Sequence, residues 1–81
     1  MTDDDLFDVL VNSDTPQILN KTFIFYRKHH VSNSNVSIEK CEFKYYGDSG
    51  IHLEEGCKNV IISNCIFYSV ERNHKWNIEH G

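Results

Sequence analysis

A chain of 81 residues with 40% hydrophobic and 12% aromatic side chains is long enough for one small domain and too apolar for a disordered tail. A formal charge of −4 and a pI near 5.6, with Lys and Arg scattered along the chain, exclude a basic track for nucleic acid. No apolar run approaches the ~18–20 residues of a membrane span, so a membrane partner is excluded as well.

Met1 leads into TDDDL rather than a basic and then apolar stretch, so the start carries no signal peptide. As given, the chain reads as cytoplasmic; an extracellular or virion setting would follow if it were a piece of a longer protein. Thr2 is a helix-capping residue type, Asp3, Asp4 and Asp5 are acids suited to a first turn, and Leu6/Leu10 and Phe7/Val11 are pairs at helical spacing. This pattern predicts a short amphipathic helix over residues 3–11; a first strand, FDVLV, is the rival. Pro16 then sets off an N-terminal segment, residues 1–19, with its capping helix, from residues 20–81.

From residue 20 onward the apolar positions show period two. NKTFIFYRKHH carries Phe23 and Phe25 in alternation, NVSIEKCEF follows at 35–43, and NVIISNCIF repeats it at 59–67, an offset of 24 residues. Within each copy Val36 and Ile38, then Cys41 and Phe43, stand two apart, but Ile38 and Cys41 stand three apart. A strand keeps its apolar side on one core only if the chain bends where parity slips, so corners are predicted at Glu39-Lys40 and Ser63-Asn64. GIHLEEG at 50–56 supplies a third alternating pair, Ile51 and Leu53, and aligns with KWNIEHG at 75–81, so that Ile51 meets Trp76 and Glu54 meets Glu79. An earlier, looser turn is expected to use Phe23 and Phe25 in the place of Ile51 and Leu53, with His29 and His30 exposed at a corner. Val36, Ile38, Cys41, Phe43, Val60, Ile62, Cys65 and Phe67 are the predicted core. Cys41, Cys57 and Cys65 make an odd count, which predicts free thiols.

Strings of the form NVxIxxCxF followed by a Gly-punctuated GIxL resemble the repeats of right-handed parallel β-helices in the pectate-lyase-like superfamily. The resemblance covers about residues 20–81 and implies an all-β solenoid segment of two to three turns, with Asn35 over Asn59, Cys41 under Cys65 and Phe43 under Phe67. A leucine-rich-repeat interaction module is the competing repeat fold, but the spacing of CKNVIISNC lacks its middle leucines. Proteins of the β-helix kind include polysaccharide lyases, glycoside hydrolases, uronan epimerases, spike proteins and non-catalytic binding modules, so the fold does not choose an activity. The resemblance implies a polysaccharide-binding or structural piece of a carbohydrate-active or spike-type protein, with a catalytic fragment of a lyase or hydrolase as the alternative.

Candidate chemistry is sparse. Asp48, Glu54, Glu55 and Glu79 are the available acids; Glu54 and Glu79, at equivalent positions on successive turns, could pair across a glycosidic bond, with Asp48 a further candidate, but solvent-facing corner positions account for them better. Lys44, Arg72 and Lys75 are candidate bases for a lyase, and Tyr46, Asp48 and His52 lie close together in YYGDSGIH. These do not add up to a complete catalytic constellation. Tyr45, Tyr46, Tyr68 and Trp76 could stack on sugar rings. His52, Cys57, Cys65, His74 and His80 lack the spacing of a zinc site, so no metal or other cofactor is expected. The third strand of the last copy stops at Gly81 with nothing over it, which predicts either a piece of a longer protein or self-association through that open turn.

Overall fold

A computed structural model describes residues 2–69 and, for the backbone alone, 76–80. Helix α1 spans Asp3–Val11, as the periodicity predicts. Thr2 is extended, and its Oγ accepts from the Asp5 N–H at 3.2 Å, satisfying one of the amides that a helix start leaves unpaired.

Nine short strands follow among the described residues: β1 (Gln17–Leu19), β2 (Thr22–Phe25), β3 (Lys28–Val31), β4 (Ser37–Glu39), β5 (Glu42–Tyr45), β6 (Ser49–Leu53), β7 (Ile61–Ser63), β8 (Ile66–Ser69) and β9 (Trp76–His80). They form three parallel three-stranded sheets, ordered β1-β4-β7, β2-β5-β8 and β3-β6-β9, so each sheet takes every third strand of the chain. One triplet of strands is thus laid over the next. A triplet of three strands is not the strand-plus-helix unit of a leucine-rich repeat.

In the first two sheets, the register between the second and third triplets is the one expected from the repeat: Ile38 pairs with Ile62 and Phe43 with Phe67. The first triplet departs from expectation. Phe23 and Phe25 lie in β2 opposite Phe43 and Tyr45, not in the third sheet, where His29 and Val31 stand opposite Ile51 and Leu53. Residues 17–19 supply the first strand of that triplet, ahead of the boundary expected at residue 20. The last strand is also shifted. Trp76 pairs with Ser49, Ile78 with Ile51, and Glu79 with His52, two residues away from the alignment that put Trp76 on Ile51 and Glu79 on Glu54. A two-residue shift preserves the alternation of faces, so the pattern alone could not reject it.

The parity slips mark left-handed residues. Asn20, Lys40 and Asn64 follow the paired residues Leu19, Glu39 and Ser63, and their φ values are +56°, +54° and +53°. A left-handed residue turns the chain through the corner and re-aims the next strand's apolar side at the same core. Asn35 and Asn59 turn the preceding corner with φ of +59° and +58°, and the Asn59 Nδ2 donates to the Asn35 Oδ1 at 3.0 Å. Asparagine tolerates this region better than lysine. Lys40→Asn is therefore expected to stabilise the protein by about 0.5–1 kcal/mol. A urea midpoint that falls would contradict the left-handed corner.

The core is built from inward positions of the triplets. Ile18, Phe23, Phe25, Val31, Val36, Ile38, Cys41, Phe43, Ile51 and Leu53 are buried, while Val60, Ile62, Cys65 and Phe67 of the third triplet pack on them half-buried. Phe43 stacks on Phe23 with centroids 5.6 Å apart and on Phe67 at 5.2 Å. Phe7 and Val11 of α1 are fully buried over the first triplet. Each large apolar side chain taken out of water contributes about 1.5–3 kcal/mol before entropy is counted. Polar groups of α1 complete the seal. Asp3 accepts from the Ile24 N–H at 2.8 Å, and Asp4 accepts from the Tyr26 N–H at 3.3 Å, so outer-edge amides of β2 find partners on the helix.

All three cysteines are free thiols. Cys41 is buried, and its Sγ lies 3.3 Å from the Glu39 carbonyl, with burial pushing its thiol pKa up. Native-state alkylation is therefore expected to modify Cys57 and Cys65 before Cys41. Equal rates at the three sites would show that the second triplet opens freely.

Candidate functional site

Two of the predicted acids, Asp48 and Glu54, stand far apart. Asp48 is exposed in the turn before β6, whereas Glu54 follows the far end of that strand. Six residues of extended chain separate their backbones by roughly 20 Å, well beyond the ~5–9.5 Å that glycoside hydrolysis needs. Glu79 lies on β9 opposite His52, and its side chain, like that of Trp76, is outside the described residues. Arg72, His74 and Lys75 also lie outside them. Tyr45 packs against the core, and Lys44 sits with its ammonium 5.7 Å from the Tyr68 ring.

Histidines make the more ordered arrangements. The expectation that His29 is exposed at a corner is overturned: it occupies an inward position of β3 and is fully buried. Its Nε2 lies 2.7 Å from Asp4 Oδ1 and its Nδ1 2.7 Å from Asp8 Oδ1, both acids coming from α1. Phe25 and Phe7 flank the ring, with centroids 4.2 and 5.1 Å away. Arg27 adds a 2.7 Å bond to the outer oxygen of Asp8. Burial opposes ionisation of Asp8, but hydrogen bonds from His29 and Arg27 and the charges behind them outweigh it, so its pKa is held below the ordinary value. This cluster is closed to solvent at His29 and binds the helix to the first triplet.

On the outer side of the same sheet, the register sets His30 opposite His52, and Glu54 stands two residues beyond His52. The Glu54 N–H donates to the Val31 carbonyl at 2.9 Å, which extends the ladder one step past β6. Glu54 Oε1 is 2.7 Å from His30 Nδ1, its Oε2 is 3.9 Å from His52 Nε2, and the two imidazole rings are 5.1 Å apart. His30 is about three-fifths exposed. The spacing between histidines concealed this group, because its members meet only through the β3–β6 register.

A second outward feature is aromatic. Tyr26 and Tyr46 stack with centroids 4.8 Å apart and planes 3° from parallel, at successive corners after β2 and β5. Tyr46 was a predicted sugar-stacking residue; Tyr26 was missed, and the correct first-triplet register would have found it. Compared with known proteins, the chain matches no family model, and neither a curated protein nor a solved structure is significantly similar to it.

Proposed function

We propose that the chain is the helix-capped end of a right-handed parallel β-helix of the pectate-lyase-like kind, acting as a structural module rather than a catalyst. The difference between its two ends carries this reading. At one end α1 buries Phe7 and Val11 and gives Asp3 and Asp4 to outer-edge amides of β2. At the other, among the described residues, β7, β8 and β9 stand at the edges of their sheets, and the layer of Val60, Ile62, Cys65 and Phe67 is half-buried. An apolar layer of this kind favours a further layer packed over it, and a second copy of the chain is one that could supply it.

Sedimentation velocity over a wide concentration range tests this reading. Concentration-dependent association that Phe67→Glu abolishes is the expected result. A chain that stays monomeric at millimolar concentration would count against it.

The Tyr26–Tyr46 stack favours a second, additional reading, in which the outer wall binds an extended polysaccharide. Tyr26 is about two-thirds exposed, and aromatic faces of this kind suit sugar rings. Retardation in gels containing soluble polysaccharide, weakened by Tyr26→Ala and Tyr46→Ala, is the expected result. Equal mobility with and without polymer would remove this reading and leave the structural one standing.

A further inference from the structure

We propose that His30, His52 and Glu54 form a binding site for a divalent transition-metal ion of the zinc class. Each offers one ligand atom, and these atoms all lie within 4.8 Å of one another. Two imidazole nitrogens with one carboxylate oxygen suit Zn²⁺ and its first-row neighbours, whereas Mg²⁺ and Ca²⁺ favour oxygen donors alone.

The dimensions fit. Ligand atoms at ~2.0–2.1 Å from a tetrahedral ion lie roughly 3.3 Å from one another. His30 Nδ1 stands 2.7 Å from Glu54 Oε1, and His52 Nε2 stands 3.9 Å from the other carboxylate oxygen, Oε2, so the two separations lie on either side of that value. Small side-chain rotations bring both to it, with the ion taking the place of the present His30–Glu54 contact. The backbone needs no adjustment, because parallel pairing already sets His30 beside His52 and the Val31 carbonyl holds the Glu54 amide. His30 and Glu54 are well exposed, which leaves the fourth coordination position to water. Glu79 occupies the next register position in the same column, opposite His52. A bound ion would join β3 to β6 and so link successive triplets.

Calorimetric titration of the chelator-treated full chain with ZnCl₂ is the test. One ion per chain is expected, with an accompanying rise in the thermal midpoint. His30→Ala, His52→Ala and Glu54→Gln are each expected to weaken binding on the order of 10–100-fold or more and to remove that rise. His30 lies at the surface, so His30→Ala tests the site in a chain that still folds, as its circular dichroism would show. Cys57→Ser is expected to bind like the parent. Absence of saturable Zn²⁺ binding would overturn the proposal and leave a hydrogen-bonded surface cluster. Binding that survives both histidine substitutions, or that is lost in Cys57→Ser, would overturn it equally.

Discussion

Phe7→Ala is expected to destabilise the protein by ~3–5 kcal/mol, the range for deleting a buried aromatic ring from a core. Phe7 has no exposed surface and meets four rings edge-on: Phe25 at 4.9 Å, His29 at 5.1 Å, Phe23 at 5.4 Å and Phe43 at 6.0 Å. Its loss would remove dispersion contacts from all of them and leave a cavity between the helix and the first triplet. The whole domain has a margin of only about 5–15 kcal/mol, and a chain this short lies toward the lower end. The substitution would therefore take away a large share of stability and, if α1 detaches, also lower the denaturant slope. Val9, on the same helix but 58% exposed, provides the contrast. Val9→Ala should move stability by less than about 0.5 kcal/mol. Similar urea midpoints for the two variants would show that α1 does not seal the core.

The readability of these features followed how locally each was determined. Helix α1 could be read because its cap, its acids and its apolar pairs lie within one short segment. The second and third triplets could be read because Ser37 and Ile61, like Phe43 and Phe67, are separated by the same 24 residues. The first triplet is offset from the second by only 20 residues at Gln17–Ser37 and Phe23–Phe43, and by 22 at His29–Ile51. Its second and third corners are shorter than those of the next triplet, and placing Phe23 and Phe25 where Ile51 and Leu53 stand, an offset of 28 residues, slid β2 into the wrong sheet. That single error hid His30 from His52 and Tyr26 from Tyr46. The burial of His29 was hidden for a different reason. A histidine at an inward strand position is reasonable only when groups elsewhere satisfy both ring nitrogens, and those groups lie 21 and 25 residues earlier in the chain. Asp4 and Asp8 read as ordinary acids on a helix; only the packing of α1 on β3 shows what they hold.

That arrangement gives the second large effect: Asp4→Ala is expected to cost ~3–5 kcal/mol, the range for removing one partner of a buried ion pair. Each ring nitrogen of His29 lies at hydrogen-bond distance from one carboxylate, Nε2 from Asp4 and Nδ1 from Asp8, so each acid satisfies a different side of the ring. Without Asp4, His29 Nε2 loses its acceptor in a site closed to water, and the part-buried Tyr26 amide loses its own. Asp4→Ala combined with His29→Leu should recover part of the loss, since an apolar pair leaves no charge unpaired. Asp8 adds a pH dependence whose sign follows from its lowered pKa. A carboxylate with a folded pKa below its unfolded value of about 4 contributes stability above that value and loses it as pH falls through the folded pKa. Acid should therefore loosen α1 progressively from about pH 4 downward. Asp8→Asn should flatten that part of the stability–pH curve. Urea midpoints across this range and limited proteolysis near residues 12–16 would follow the loosening. An Asp4→Ala variant as stable as the parent, or an Asp8→Asn variant with an unchanged acid limb, would mean that α1 is held by its apolar face alone.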